Sequence, residues 1–479
     1  MRLDELAQGI AEAGAPLSGA VTGITADSRA VRPGMVFAAL PGVLVDGRSF
    51  IAAAVAAGAA AVLAPRGTAW PNGVPARALL LADDARAALA RMAARLAGPQ
   101  PTAVVAITGT NGKTSTADFL RQIWGQGAAS LGTLGVVADG FPPGESLTTP
   151  DPVSLHATLA ALARGGVSRV AMEASSHGLD QRRLDGVTLA AAGFTNLTRD
   201  HLDYHGDMAG YRAAKLRLFD TLLPEGGVGA FSSEADAETQ SALRAVAARR
   251  GLRLLSVGAG GDEARLETAT PLPDGQALEF SLFGARQTVH LPLPGRFQAD
   301  NALLAAALAV LTRGDTACVL AALPRLAGVR GRMELAARIN GAAAYVDYAH
   351  TPDALERLLL ALRPHTAARL VCVFGAGGDR DPGKRPLMGA VVADLADIAI
   401  ITDDNPRSEN PAAIRAAISA AAPDALEIGD RRAAIAAGLA MLRPGDVLVV
   451  AGKGHESGQT IAGVTTPFDD AAVIRELAA

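Results

Sequence analysis

Short, mostly apolar runs that stop abruptly in polar clusters set the pattern of this chain. Residues 104–107, 167–172 and 190–194 in its middle, then Leu370–Phe374, 398–402 and Val447–Ala451 further on, lack the apolar–polar alternation of a strand with one wet face. Runs of this kind predict strands buried on both faces, and the Ala- and Leu-rich stretches between them predict helices. Strand–helix alternation gives parallel sheets, so the fold class is α/β. Punctuation divides the chain into three segments. Residues 1–98 form a small αβ unit closed by Gly98-Pro99-Gln100-Pro101. Residues 99–328 open with the strand at 104 and reach through a helical 301–313 region to a connector near Pro324. Residues 329–479 begin around Arg330-Gly-Arg-Met-Glu334.

Composition adds bounds. A length of 479 residues suits roughly three domains of ordinary size. The apolar share of 49% fills several cores, but aromatics are only 4%, so Ala, Leu and Val must do the packing. A net charge of −4 lacks the basic excess of a nucleic-acid binder. The cysteines, Cys318 and Cys372, lie in apolar runs and are expected to be small buried hydrophobes, with no disulfide scaffold. The opening Met1-Arg-Leu-Asp-Glu-Leu6 meets acids at once, and the Ala-rich run 51–64 is too short to span a bilayer. A cytoplasmic, monomeric protein with no membrane insertion is expected.

The sharpest chemistry follows the first middle strand. Gly109-Thr-Asn-Gly-Lys-Thr-Ser115 leads into an amphipathic helix expected over 116–125. A glycine loop between a buried strand and a helix offers backbone N–H groups and a helix N-terminus to a polyphosphate. Lys113 adds positive charge, and Thr114 or Ser115 can offer a hydroxyl to Mg²⁺; ATP is the implied ligand. Two residues, not the usual four, separate Gly109 from Gly112. Ligands in open α/β sheets gather beyond the carboxyl ends of strands, where Glu173-Ala-Ser-Ser-His177 and Thr195-to-His205 also fall. Glu173 suits a hard cation. His201 and His205 could pass for a zinc pair, yet Leu202 stands where metalloprotease chemistry places an acid right after the first histidine, and no cysteine or third nearby histidine helps. The final segment repeats the strand-end pattern with Gly375-Ala-Gly-Gly-Asp-Arg-Asp381, Asp403-Asp-Asn-Pro-Arg407 and Gly452-Lys-Gly-His-Glu456. Arginines and an acid on neighbouring loops suit a zwitterionic amino acid.

The shortened loop, Asp200-His-Leu-Asp203 with Tyr211-Arg-Ala-Ala-Lys215, and Leu291-Pro-Leu-Pro-Gly-Arg-Phe-Gln-Ala-Asp-Asn301 together resemble the signatures of the Mur ligase family, ATP-dependent amide-bond synthetases of peptidoglycan precursor assembly. The resemblance covers essentially the whole chain. It implies three domains: one for a UDP-substrate, a central P-loop-type parallel-sheet ATPase and a C-terminal Rossmann-like domain that closes over it. It implies Mg²⁺ held by Thr114, Glu173, His201 and a carbamylated Lys215. ATP is implied at Gly109, Thr110, Asn111, Gly112, Lys113, Thr114, Ser115, Asn301, Arg332, Asp347 and His350. Gln298 stands where the family has Asn. Ser28 in Thr25-Ala-Asp-Ser-Arg29, Thr148 and Thr149, and Ser175, Gln181 and Arg183 match contacts to a UDP-muramoyl-dipeptide. Asp404-Asn405-Pro406-Arg407, with Arg380, Gly452 and Glu456, implies meso-diaminopimelate, because Arg407 can read the extra carboxylate that distinguishes it from lysine. A lysine-adding or D-alanyl-D-alanine-adding relative, or a non-catalytic nucleotide binder on the same fold, are the alternatives.

Overall fold

Local sequence sets the elements, and strand register then decides what lies at their ends. The computed structural model describes residues 1–479 apart from 15–16, 43–44, 143–146 and 273–274. By compactness it divides into two units, Met1–Asp262 with Leu304–Val319, and Glu263–Leu303 with Leu320–Ala479.

In the first unit, β1 (Glu12–Ala13), β2 (Gly23–Thr25), β3 (Met35–Ala38), β4 (Ala61–Pro65) and β5 (Ala78–Ala82) form a sheet ordered β1-β5-β4-β3-β2, parallel except for β1. The helix Ala85–Ala97, capped by the Asp84 carboxylate on the N–H of Ala87, packs its apolar face on this sheet. A second sheet holds β6 (Ala103–Thr108), β7 (Ala128–Gly132), β8 (Gly135–Val137), β9 (Arg169–Glu173), β10 (Leu189–Phe194), β11 (Val228–Ser232) and β12 (Arg253–Gly258) in the order β12-β11-β10-β6-β9-β7-β8. Its strands run parallel from β12 to β7, and β8 returns antiparallel. The expected apolar runs are there, and β6 is buried from Val104 to Thr108. Register matters for the site: Ile107 pairs with Glu173, and Thr108 with Phe194. The loops after β6, β9 and β10 therefore leave the same sheet edge side by side.

The second unit opens with an antiparallel meander, β13 (Ala264–Leu272), β14 (Gly275–Leu282) and β15 (Ala285–Leu291), which the parallel-sheet reading did not foresee. Its other sheet contains β16 (Glu334–Ile339), β17 (Ala342–Asp347), β18 (Leu370–Phe374), β19 (Ile398–Ile401), β20 (Leu426–Glu427) and β21 (Val447–Ala451), ordered β16-β17-β21-β18-β19-β20. Only β16 is antiparallel there. Apolar clusters cover both faces, one built on Leu355, Leu359, Phe374 and Ile418, the other on Val371, Ile435, Leu448 and Ile474. A hairpin of β22 (Gly458–Ile461) and β23 (Val464–Pro467) follows β21.

Cys372 is buried in β18 as expected, but Cys318 is exposed. Its helix, Thr316–Ala322, turns Val319 and Ala322 inward and leaves the intervening face to water. Among the described residues no helix is long and apolar enough to cross a membrane.

Candidate functional site

The phosphate-type loop is held in a backbone shape that side chains resist. Gly109 has φ +145° and Gly112 +83°, and a Cβ on Gly109 would come within 1.9 Å of Thr195 Oγ1. Glycine is required there. The helix begins at Lys113, three residues before the expected start, because Gly112 in the left-handed region serves as its N-cap. The loop is braced from β10's end: Thr195 Oγ1 donates to Asn111 O (2.5 Å), and the N–H of Asn111 donates to Asn196 Oδ1 (3.0 Å). Thr110 Oγ1 lies 3.2 Å from the Tyr211 hydroxyl. Sequence reasoning flagged the 195–205 stretch but missed this bracing role of Thr195, Asn196 and Tyr211.

Two lysines converge on one oxygen of that loop. Lys113 Nζ donates to Gly109 O at 2.9 Å and to Thr110 O at 2.8 Å, and Lys215 Nζ donates to the same Gly109 O at 2.8 Å. Lys215, on the helix Met208–Arg217, is 1% exposed and sits 4.4 Å above the Tyr211 ring. Burial, and next the nearby Lys113 charge, hold its amine well below the ordinary lysine range.

Glu173 closes the other side. It is buried, and its Oε1 accepts from Thr114 Oγ1 (3.0 Å) and the N–H of Thr133 (2.8 Å). A Cβ on Gly132 would stand 2.1 Å from that oxygen, so the chain must be bare where the carboxylate passes. Thr133 and Gly132 carried no signal in the sequence. His201 is half-exposed, adopts φ +52°, and caps the helix Leu202–His205; its ring packs edge-on against His177 at 4.8 Å. A hydroxyl and a carboxylate side by side at a phosphate loop fit Mg²⁺, which takes few protein oxygens and keeps phosphate and water as its other ligands. Among the described residues no cluster of three His, Cys, Asp or Glu side chains is arranged to hold a metal.

The same edge gathers most of the expected dipeptide contacts. Thr148 Oγ1 lies 3.1 Å from Thr133 Oγ1, and Thr149 Oγ1 donates to Glu173 O (2.9 Å) while accepting from the Ser175 N–H (2.9 Å). Arg183 donates to Thr149 O (2.5 Å) and Gln181 Oε1 (2.7 Å). Ser175 caps the short helix Ser176–Asp180. Ser28 stands apart on the 3₁₀ turn Ser28–Ala30 beside β2.

In the second unit Asn301 lies on the helix Arg296–Leu311, and neighbouring Gln298 is buried with its Oε1 unpartnered among the described residues. Arg332 stacks over Tyr348 at 4.6 Å. Asp347 at the end of β17 accepts from the N–H groups of Met333 (2.7 Å) and Ala349 (2.8 Å), and His350 Nδ1 lies 2.8 Å from Tyr348 O.

The loops after β18, β19 and β21 interlock. Arg407, at φ +53°, is held by its N–H on Thr460 O (2.9 Å) and by Nη1 on Gly378 O (2.7 Å). Pro406 precedes it, and Ser408 Oγ ties the loop to Asp379 (2.5 Å), next to exposed Arg380. Asp404 is buried with Oδ2 unpartnered among the described residues, and a Cβ on Gly452 (φ +117°) would meet that oxygen at 2.4 Å. Asn405 Nδ2 donates to Glu456 Oε2 at 2.7 Å. Beneath them Arg431 is fully buried: it forks onto Asp470 at 2.7 Å and reaches Ala451 O at 3.0 Å. The sequence singled out neither Arg431 nor Lys453.

Three family models match this chain: a Mur ligase family catalytic domain over residues 20–96, the Mur ligase middle domain over 107–309, and the Mur ligase glutamate ligase domain over 331–454. A UDP-N-acetylmuramoyl-L-alanyl-D-glutamate–2,6-diaminopimelate ligase of Caulobacter vibrioides is 57% identical over 94% of both chains. One of the same name from Mesorhizobium japonicum is 53% identical over 96% of both. A solved structure of a ligase with that name superposes with a TM-score of 0.75 at 32% identity, covering 100% of this chain and 98% of the other. The Thermotoga maritima MurF ligase in complex with ADP shares the fold, with a TM-score of 0.62 at 20% identity, covering 90% of this chain and 94% of the other. Kinship of this extent, running through both units and their strand-end loops, means that the chain belongs to the Mur ligase family.

Proposed function

We propose that this protein joins meso-diaminopimelate to UDP-N-acetylmuramoyl-L-alanyl-D-glutamate at the expense of ATP, releasing ADP and phosphate, a step of cytoplasmic peptidoglycan precursor synthesis. The observation that carries this reading is the convergence, at one sheet edge, of a glycine phosphate loop, the buried Thr114–Glu173 pair and the Thr148–Thr149–Arg183 network. Segments 1–98, 99–328 and 329–479 serve the UDP-substrate, ATP and the amino acid.

The glutamyl γ-carboxylate attacks the γ-phosphorus, the bond to the bridging oxygen breaks, and ADP leaves. The diaminopimelate amine then attacks the acyl phosphate carbonyl, loses a proton and expels phosphate. Loop N–H groups and Lys113 hold the phosphates, and Thr149 and Arg183 sit where the acceptor peptide is oriented. Such catalysis is mainly positioning and charge stabilisation. Thr114, Glu173, His201 and Lys215 are the residues that would hold Mg²⁺, which offsets phosphate charge when bound. Lys215 suits this role as a carbamate. Its amine, favoured in the neutral form by burial, adds to CO₂ and releases one proton, replacing a cation by an anion with two oxygens. Asn301, Arg332, Asp347 and His350 are the further residues that the family likeness assigns to ATP. Arg407 reads the distal carboxylate of the amino acid, and Arg380, Asp404, Asn405, Gly452 and Glu456 receive the rest.

ADP release measured with the UDP-dipeptide and, in parallel, meso-diaminopimelate, L-lysine and D-alanyl-D-alanine tests the reading. Turnover should require the first. Equal turnover with lysine would refute the amino-acid assignment, and no ADP with any of them would refute the ligase.

A further inference from the structure

The lysine of Gly452-Lys-Gly is as buried as any side chain in the molecule, and the reading above gives it no task. Lys453 is 0% exposed. Its three N–H groups meet three oxygens: Asn405 Oδ1 and Glu456 Oε2, both at 3.2 Å, and Gly458 O at 2.5 Å. Asn405 Oδ1 takes a further bond from the Thr460 N–H at 2.9 Å, and Asn405 Nδ2 donates to Glu456 Oε2 at 2.7 Å. Two donors on one side and an acceptor on the other leave the Asn405 amide a single orientation, since a flip would set its NH₂ against an ammonium and an N–H. The same contacts use up Oε2 of Glu456 and leave Oε1, on a side chain about a third exposed (32%), as its outward acceptor.

We propose that Lys453 is a positioning residue for the incoming amino acid, an ammonium that fixes the donor face of Asn405 and the acceptor face of Glu456 and pins the base of the β22–β23 hairpin that carries Arg407's partner Thr460. This rests on the proposed amino-acid site, and it goes beyond that site's own contacts because Lys453 touches them from behind. An unpaired buried ammonium would be costly, so its three oxygens must stay in place, and with them the shape presented to a zwitterion. Without it the Asn405 amide keeps only the Thr460 N–H and Glu456 Oε2 to hold it, and Glu456 loses the cation beside its carboxylate.

The test is steady-state ADP release by the full chain as wild type, Lys453→Met, Asn405→Ala and the double variant, varying each of the three substrates in turn. Lys453→Met should raise KM for diaminopimelate about tenfold or more, the loss expected when a charge-assisted contact disappears, with kcat and the other two KM values within about threefold. In the Asn405→Ala background the same substitution should change that KM by less than about threefold, because residues acting as a unit are not additive. If Lys453→Met does not fold, Lys453→Gln, which keeps a donor without the charge, takes its place. An unchanged amino-acid KM, a parallel rise in all three KM values, additive effects, or failure of both variants to fold would each overturn the proposal. A wild type that rejects diaminopimelate would overturn the substrate reading alone, and the KM comparison then applies to the amino acid it accepts.

Discussion

Lys215 and Lys453 are equally hidden, yet their surroundings differ in kind. Lys453 has every N–H answered by an oxygen, one of them on a carboxylate. Lys215 has Gly109 O and a tyrosine ring, and it shares that carbonyl with a second lysine. Burial with no carboxylate in contact disfavours the ammonium and leaves a nucleophilic amine, whereas burial among oxygens makes a fixed scaffold. The loop edge of the first unit thus sets two lysine amines on one carbonyl, one of them held towards its neutral form by burial. The loops after β18, β19 and β21 in the second unit are mostly cross-bonded, with Arg431 on Asp470 as their deepest pair and Asp404 Oδ2 as the exception among the described residues. On the proposed function, one region changes its charge on binding and the other keeps its shape.

The most damaging way to probe this contrast is Lys113→Ala. Losing a preorganised cation at developing charge should lower kcat by about 10²–10³-fold or more, while the melting temperature holds. Near-normal ADP release by the folded variant would remove the loop from the mechanism. Next comes Lys215→Ala, expected to be nearly inactive and partly restored by formate or acetate occupying the carbamate's place. Mass analysis of gently handled active enzyme showing only bare lysine would refute the carbamate. Arg407→Ala tests the shape-keeping region. If Arg407 reads the distal carboxylate as proposed, losing that charge-assisted contact costs about 2–5 kcal/mol, roughly 30- to several-thousand-fold in kcat/KM for diaminopimelate. The KM values for ATP and the UDP-dipeptide should hold, and the gap to lysine should narrow. An equal defect with both amino acids would break the assignment.

A third style of burial gives the smallest effect. His156, beside Gly186 and the helix Ala85–Ala97, is 1% exposed, with both ring nitrogens unpartnered among the described residues. Burial pushes its imidazole down to about 4. A folded-state value below the unfolded one means that stability is full above about pH 6.5 and drains away as pH falls towards 4, by about 3 kcal/mol for this group. Denaturant titrations from pH 7 to 4 should show a shallower acid loss for His156→Leu than for wild type. Parallel curves would show that this histidine is not the acid-sensitive element.

Parallel strands were legible because burial on both faces leaves an uninterrupted apolar run, as at Leu370–Phe374 and Val447–Ala451. The β13–β15 meander was not, since an uninterrupted apolar run is the wrong signal for strands with one wet face, where Leu278-Glu-Phe-Ser-Leu282 alternates instead and Glu267, Glu279, Arg286 and His290 meet water. Cys318 misled because its neighbours are apolar although its own helix face is wet. Glycines at Gly109, Gly112 and Gly452 were readable as motif members, and the structure supplies the close approaches and positive φ angles that require them. Thr195 and Lys453 were legible only as members of strand-end motifs and Thr133 not at all, because their bonds to Asn111, Asn405 and Glu173 reach across 40 or more residues that only tertiary packing brings near.

The hairpin beside Arg407 has a consequence for how such a pocket can evolve. It grips the 403–407 loop from its inner strand, by Thr460 N and O and by the Gln459 amide on Asp403 O and Asp404 O, while Val464–Pro467 lie open to solvent. Mutations that alter the outer strand leave the grip untouched, so this ribbon can drift, accept a reporter group or be exchanged between relatives without loosening the residues it steadies. Tolerance to variation and fidelity of choice sit on opposite edges of the same ribbon.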